Sequence, residues 1–233
     1  METGWDAIVG HEWAVQLLRG AIVHDRVGHA YLITGPEQVG KTTLARTFAQ
    51  ALNCAEADAA ARPCGVCRHC RLIAADRHPD VRLLAPEVSG RGKLTLKIDQ
   101  VRELQQGLSL AAYEARTKVA ILRRFDAATL GAANAFLKTL EEPPANVVLL
   151  LTAIEADGLL ATIVSRCRTI GLRPLPTDLV LQSLMTRWRV PEARAELLAH
   201  LADGRLGWAV AASQDEAPLA ERAEFLAQLA EAL

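Results

Sequence analysis

The stretch GPEQVGKT, Gly35 to Thr42, has the residue types and spacing to hold phosphate, matching G-x-x-x-x-G-K-[ST] in full. Its glycines let backbone N–H groups wrap an anion. Lys41 can reach β- and γ-phosphates, and the Thr42 hydroxyl suits Mg²⁺. A helix beginning at this point adds its positive end. Gly35, Gly40, Lys41, Thr42 and Thr43 are therefore the expected nucleotide ligands.

Cys54, Cys64, Cys67 and Cys70 follow as C-x9-C-x2-C-x2-C. Four thiolates at this spacing suit tetrahedral Zn²⁺ with no open position, which predicts a structural site. His69 is the one rival ligand. The neighbouring Arg62, Arg68 and Arg71 read either as a solvated basic rim or as a nucleic-acid contact.

A nucleotidase built on such a loop needs an acidic pair at the end of an apolar strand. In VAILRRFDAAT, Val119 to Thr129, the strand is followed by Arg123-Arg124. An arginine accepts no proton and repels a metal ion. Two readings stay open: the acids are gone, or Asp126 replaces them. Against the second, Asp126 lacks an acidic neighbour and falls at the start of the next helix, an N-cap position.

These groups need a scaffold. AYLIT is a short apolar strand before the phosphate loop, and KTTLARTFAQAL is a helix with Leu44, Phe48, Ala51 and Leu52 on one face. DVRLLA, KVAIL, NVVLLLT and RTIGL read as further strands, with NVVLLLT central and buried on both faces. EVSGRGKL is a loop or hairpin tip. IDQVRELQQGLSL and AATLGAANAFLKTLEE are helices, the second ending at Glu142 and Pro143-Pro144. Alternating strands and helices predict an α/β fold with a parallel sheet. RPLPTD, Arg173 to Asp178, reads as a linker, and everything after it is helical by period. The expected divisions are a P-loop domain over 1–173 with a zinc module at about 54–70, a small helical domain over 174–214, and the start of a further helical region over 215–233 that breaks off short.

Composition sets the bounds. The 233 residues are 51% apolar with a net charge of −1, which supports a core but no dedicated nucleic-acid or membrane binder. No apolar run approaches a membrane span, and METGWDAIVG lacks the parts of a secretory signal. The chain reads as cytoplasmic.

HAYLITGPEQVGKTTLARTFAQALNC, ANAFLKTLEEPP and TIVSRCR resemble the AAA+ clamp-loader subunits of bacterial DNA polymerase III, and the likeness runs over residues 5 to 213. It implies an AAA+ P-loop domain, a helical lid and a zinc-binding insertion. In that family's motors an Asp-Glu pair precedes the Asn of the NALLKTLEEPP-like helix by about eleven residues. Counting back from Asn134 gives Arg123-Arg124. The motors' phosphate-sensing Thr would fall at Ile154, with Thr152 displaced from it.

The resemblance also assigns roles. Arg166 of Ser165-Arg166-Cys167 becomes a finger that reaches a neighbour's ATP. Ile8, Val9 and Gly10 become walls for adenine, and Arg205 a lid contact to phosphate, unless it is a plain surface arginine. Losing the acids while keeping the finger resembles the stator, or delta-prime, branch: ATP bound, if at all, without turnover. The implied partners are gamma/tau motor subunits and a delta subunit in a hetero-oligomeric ring, with the sliding clamp and primer-template DNA reached through it and no membrane. An active gamma/tau-type ATPase and a zinc-dependent nucleic-acid module are the alternatives.

Overall fold

The computed structural model describes residues 4–88, 90, 92–215, 217, 220, 224, 225 and 228. Two compact units emerge: residues 1–35 with 41–172, and residues 36–40 with 173–233.

The first unit is built on five parallel strands: β1 (Ala30–Thr34), β2 (Val81–Leu84), β5 (Lys118–Leu122), β6 (Val147–Ala153) and β7 (Arg168–Gly171). Their order, β2-β5-β6-β1-β7, puts β6 in the middle. All seven residues of β6 are buried, as its unbroken apolar run predicts. Alternate side chains face opposite ways. Leu32, Leu122, Leu149 and Leu151 join one core with Phe136 of α5 (Leu130–Glu141) and Leu104 of α4 (Ile98–Ser109). One residue before Leu32 and on the opposite face, Tyr31 meets Phe48 of α2 (Lys41–Asn53) edge-on at 5.2 Å between ring centroids. The predicted face of α2, with Leu44, Phe48, Ala51 and Leu52, is buried.

The remaining elements of this unit are α1 (Glu12–Val23), α3 (Arg68–Ala74), the short α6 (Ala161–Val164) and a hairpin of β3 (Glu87–Val88) with β4 (Leu94–Thr95). That hairpin occupies the stretch read as a loop or hairpin tip. One boundary differs from expectation. Asp126 does not cap α5: it lies in a single 3-10 turn, Phe125–Ala127, and the cap is Thr129, whose hydroxyl accepts from Ala132 N at 3.2 Å. The AATL segment has room for both a turn and a cap before the helix starts, which periodicity does not resolve.

The second unit contains α7 (Thr177–Arg187), α8 (Glu192–Ala202) and α9 (Leu206–Gln214). Gly204 joins α8 to α9 at φ +73°, and a Cβ there would meet the Leu175 backbone at 2.6 Å. Only glycine satisfies both constraints. The helical region expected over 215–233 lies largely outside the described residues. No helix among the described residues is long and apolar enough to cross a membrane.

Candidate functional site

Gly35 follows β1 directly at φ +140°, where a Cβ would come within 2.4 Å of Leu172 O. Lys41 opens α2. Its side chain is buried, and the ammonium donates to Gly35 O at 2.5 Å. Thr42 is half-buried and Thr43 exposed on the same first turn. Gly40 has φ +108° with open space where a side chain would stand. The loop tip packs within the second unit, where Gln38 O accepts from Gly207 N of α9 at 2.8 Å. Arg205, just before α9, donates from Nε to Ala202 O at 2.9 Å. A strand-to-helix loop with two positive-φ glycines and a lysine opening the helix has the parts that bind phosphate.

The strand register fixes what stands beside this loop. Leu122 pairs with Leu151 and Thr34 with Ala153, so one step on Arg123 comes level with Thr152 and Arg124 with Ala153. The two arginines thus leave the sheet at the same edge as the phosphate loop, flanking β6 from the other side. Arg123 is exposed. Arg124 is left-handed at φ 49°, and its Nε lies 3.0 Å from Asp126 Oδ2. Asp126 is therefore ion-paired, and Arg124 N donates to the Thr152 hydroxyl at 3.1 Å. Thr152 is buried, whereas Ile154 is partly exposed and its carbonyl accepts from Gly35 N. At the two positions that directly follow β5 the side chains are guanidinium groups, not carboxylates.

Arg166 sits in the turn between α6 and β7. Its guanidinium donates to Thr162 O at 2.9 Å and pairs with Glu141 Oε1 of α5 at 2.8 Å. Both partners are part-exposed. Glu141 had no signal in the sequence, because the pair joins residues 25 positions apart in the chain.

The four cysteine sulfurs lie within 4.8 Å of one another. Backbone N–H groups of Glu56 and Cys64 point at Cys54 Sγ, that of Cys67 at Cys64 Sγ, and that of Cys70 at Cys67 Sγ, at 3.2–3.4 Å. Burial pushes the Cys54 and Cys70 thiols up. Burial also raises Cys67, but backbone donors and neighbouring thiols outweigh it and bring it down to about 6. A cation that binds the deprotonated sulfurs removes this burial penalty. The donor set therefore fits zinc, with Cys54 supplied by the end of α2 and Cys70 by α3. Gln50 Nε2 clamps the two helices through Cys70 O at 2.8 Å.

His69 is turned away from the cysteines. Its Nδ1 lies 2.9 Å from Nε2 of buried His78, so it is not a rival ligand there. Beside them, Asp80 accepts the N–H groups of Tyr113, Glu114 and Ala115 at 2.8–2.9 Å. Burial alone would raise the Asp80 carboxyl, but these three donors hold it below the usual range. Burial and then His69 lower His78. The sequence reading passed over His78, Asp80 and Glu114, since only the fold brings residue 114 next to residue 78.

A family model described as DNA polymerase III, delta subunit, matches residues 10–176. DNA polymerase III subunit delta′ of Bacillus subtilis is 35% identical over 80% of this chain and 54% of its own length. The delta′ subunit of Pseudomonas aeruginosa is 40% identical over 74% of this chain and 51% of its own. The tau subunit of Salmonella typhimurium is 36% identical over 85% of this chain and 31% of its own. The chain thus spans about half the length of these delta′ relatives and about a third of tau. Among solved structures, a gamma subunit-related protein of Thermotoga maritima superposes with TM-score 0.54 at 25% identity, covering 81% of this chain and 56% of its own. Thermotoga maritima RuvB superposes at 0.61 and 15% identity over 91% and 64%, a likeness of AAA+ fold. With one family model spanning the phosphate loop, the cysteine cluster and the Arg166 turn, the chain belongs to the delta-prime clamp-loader family of bacterial DNA polymerase III.

Proposed function

We propose that this chain is a non-hydrolysing stator subunit of the clamp loader, which supplies Arg166 in trans to a neighbouring subunit's ATP while sliding clamps are loaded onto primer-template DNA. The observation that carries the reading is Arg123-Arg124 at the sheet edge beside the phosphate loop, with the nearby acid, Asp126, ion-paired to Arg124. At these two positions arginine offers neither a general base nor a carboxylate for Mg²⁺. Gly35, Gly40, Lys41, Thr42 and Thr43 still suit a nucleotide held without turnover. The two units then act as P-loop domain and lid, and zinc on Cys54, Cys64, Cys67 and Cys70 is structural. Gamma/tau motors and a delta subunit are the partners, in the cytoplasm.

The active gamma/tau reading has less support, because arginines follow β5 where it needs acids and Asp126 is paired with Arg124. The test assembles full-length protein with its motor subunits and compares Arg166→Ala with Lys41→Ala. Arg166→Ala should cut hydrolysis at one adjoining site, which reads as a partial loss of bulk ATPase and a larger loss of clamp loading. Lys41→Ala should change both by less than about twofold, since this site contributes no turnover. The reverse pattern would make the protein a motor with unfamiliar acids.

A further inference from the structure

We infer that His69, His78 and Glu114 form a second divalent-metal site, separate from the four cysteines. One donor atom from each residue lies within 4.8 Å of the others. His69 Nδ1 is 2.9 Å from His78 Nε2, and Glu114 Oε1 is 3.9 Å from that same nitrogen. Neighbouring donors around a zinc ion with bonds of about 2.0–2.1 Å stand roughly 3 Å apart, so small side-chain shifts suffice. Two imidazoles and a carboxylate are a donor set that zinc and similar ions take, with a position left for water.

Two observations point to a missing cation. The His78 side chain is wholly buried, and Glu114 Oε1 is buried with no hydrogen-bond partner. An orphaned carboxylate oxygen is an exception that asks for an ion or a water. The surroundings also hold the donors in place. Arg68 binds the other carboxylate oxygen, Oε2, and Asp80 takes the Glu114 N–H at 2.8 Å. The three donors come from α3, from the turn before β2 and from the loop before β5, so an ion here would tie the cysteine module to the sheet.

His78 sets the strength of the site. Its Nδ1 accepts from Asp80 N at 3.1 Å, so the neutral ring carries its proton on Nε2, toward His69. Metal binding at Nε2 needs that proton on Nδ1 and gives up the Asp80 contact. The site should therefore fill at higher free metal than the thiolate cluster, which keeps its hydrogen bonds.

The experiment equilibrates full-length, reduced protein with stepped free Zn²⁺ and counts metal per chain, alongside Glu114→Gln and His69→Gln. The expected result is one zinc that resists a mild chelator and a second, weaker equivalent that both variants lose. The retained tight zinc reports that each variant is folded. Co²⁺ in the second position should absorb without the sulfur charge-transfer band of the cysteine site. A wild type that stops at one metal at saturating free Zn²⁺ overturns the proposal and gives Glu114 Oε1 to a water. A second equivalent that persists in both variants overturns it as well.

Discussion

Two arginine-bearing turns leave the same sheet and differ in what holds the guanidinium. After β5, Arg124 folds back on Asp126 in a left-handed backbone turn, and its N–H occupies Thr152. Before β7, Arg166 is held at the surface by Glu141 and Thr162, both outside its own turn. The first turn pairs its own acid with its own arginine. The second keeps a planar fork of donors in a fixed, part-exposed position. The comparison separates an arginine paired within its own turn from one held by residues outside it, and the proposed roles of the two turns rest on that difference.

The largest expected effect tests the second turn. Arg166→Lys keeps the charge but not the fork, so it should recover little of the roughly 10³–10⁵-fold that an arginine finger contributes at the adjoining site. Single-turnover ATPase of the assembled ring measures it, and near wild-type rates in the lysine variant would mean that Arg166 acts only as a point charge.

The next test rebuilds the first turn. Arg123→Asp with Arg124→Glu should make nucleotide binding by this chain depend on Mg²⁺, by on the order of tenfold, because carboxylates at this edge can hold the ion. The wild type should bind, if at all, with little Mg²⁺ dependence. Titrations with and without Mg²⁺ distinguish the two, and a wild type that needs Mg²⁺ for most of its affinity would return Asp126 to candidacy as the acid.

Metal removal tests the cysteine module. Cys67→Ser should lose the tightly held zinc and the local folding of residues 54–70, since site formation and folding are coupled. Elemental analysis together with hydrogen exchange over that stretch reads the outcome, and a variant with full zinc content would refute the assigned ligands.

The smallest effect separates holding from chemistry. Glu141→Gln removes a part-exposed ion pair, so stability should change by less than about 1 kcal/mol. Thermal unfolding checks this. A larger loss would show that the Glu141–Arg166 pair braces α5 against the β7 turn.

The turn from β1 into α2 and the clustering of the four cysteines were legible from spacing, because each is a local arrangement of residues close along the chain. The central place of β6 was legible from its unbroken apolar run. The place of Asp126 was not: it read as a helix cap, yet the chain turns once more before α5 and its carboxylate pairs with Arg124. His69 was mistaken for a rival to the cysteines because its partner, His78, comes beside it only once α3 packs ahead of β2.

The sequence by itself determined the residue types: a lysine and glycines for phosphate, four thiols for a metal, and arginines where acids would be needed. Those follow from local spacing, which chain connectivity enforces in any fold. The tertiary structure alone decided which charges are paired. Glu141 with Arg166 and Glu114 with Arg68 and His78 are contacts between segments 25 to 46 residues apart. Their distances depend on how helices and strands pack, and no period in the sequence records that.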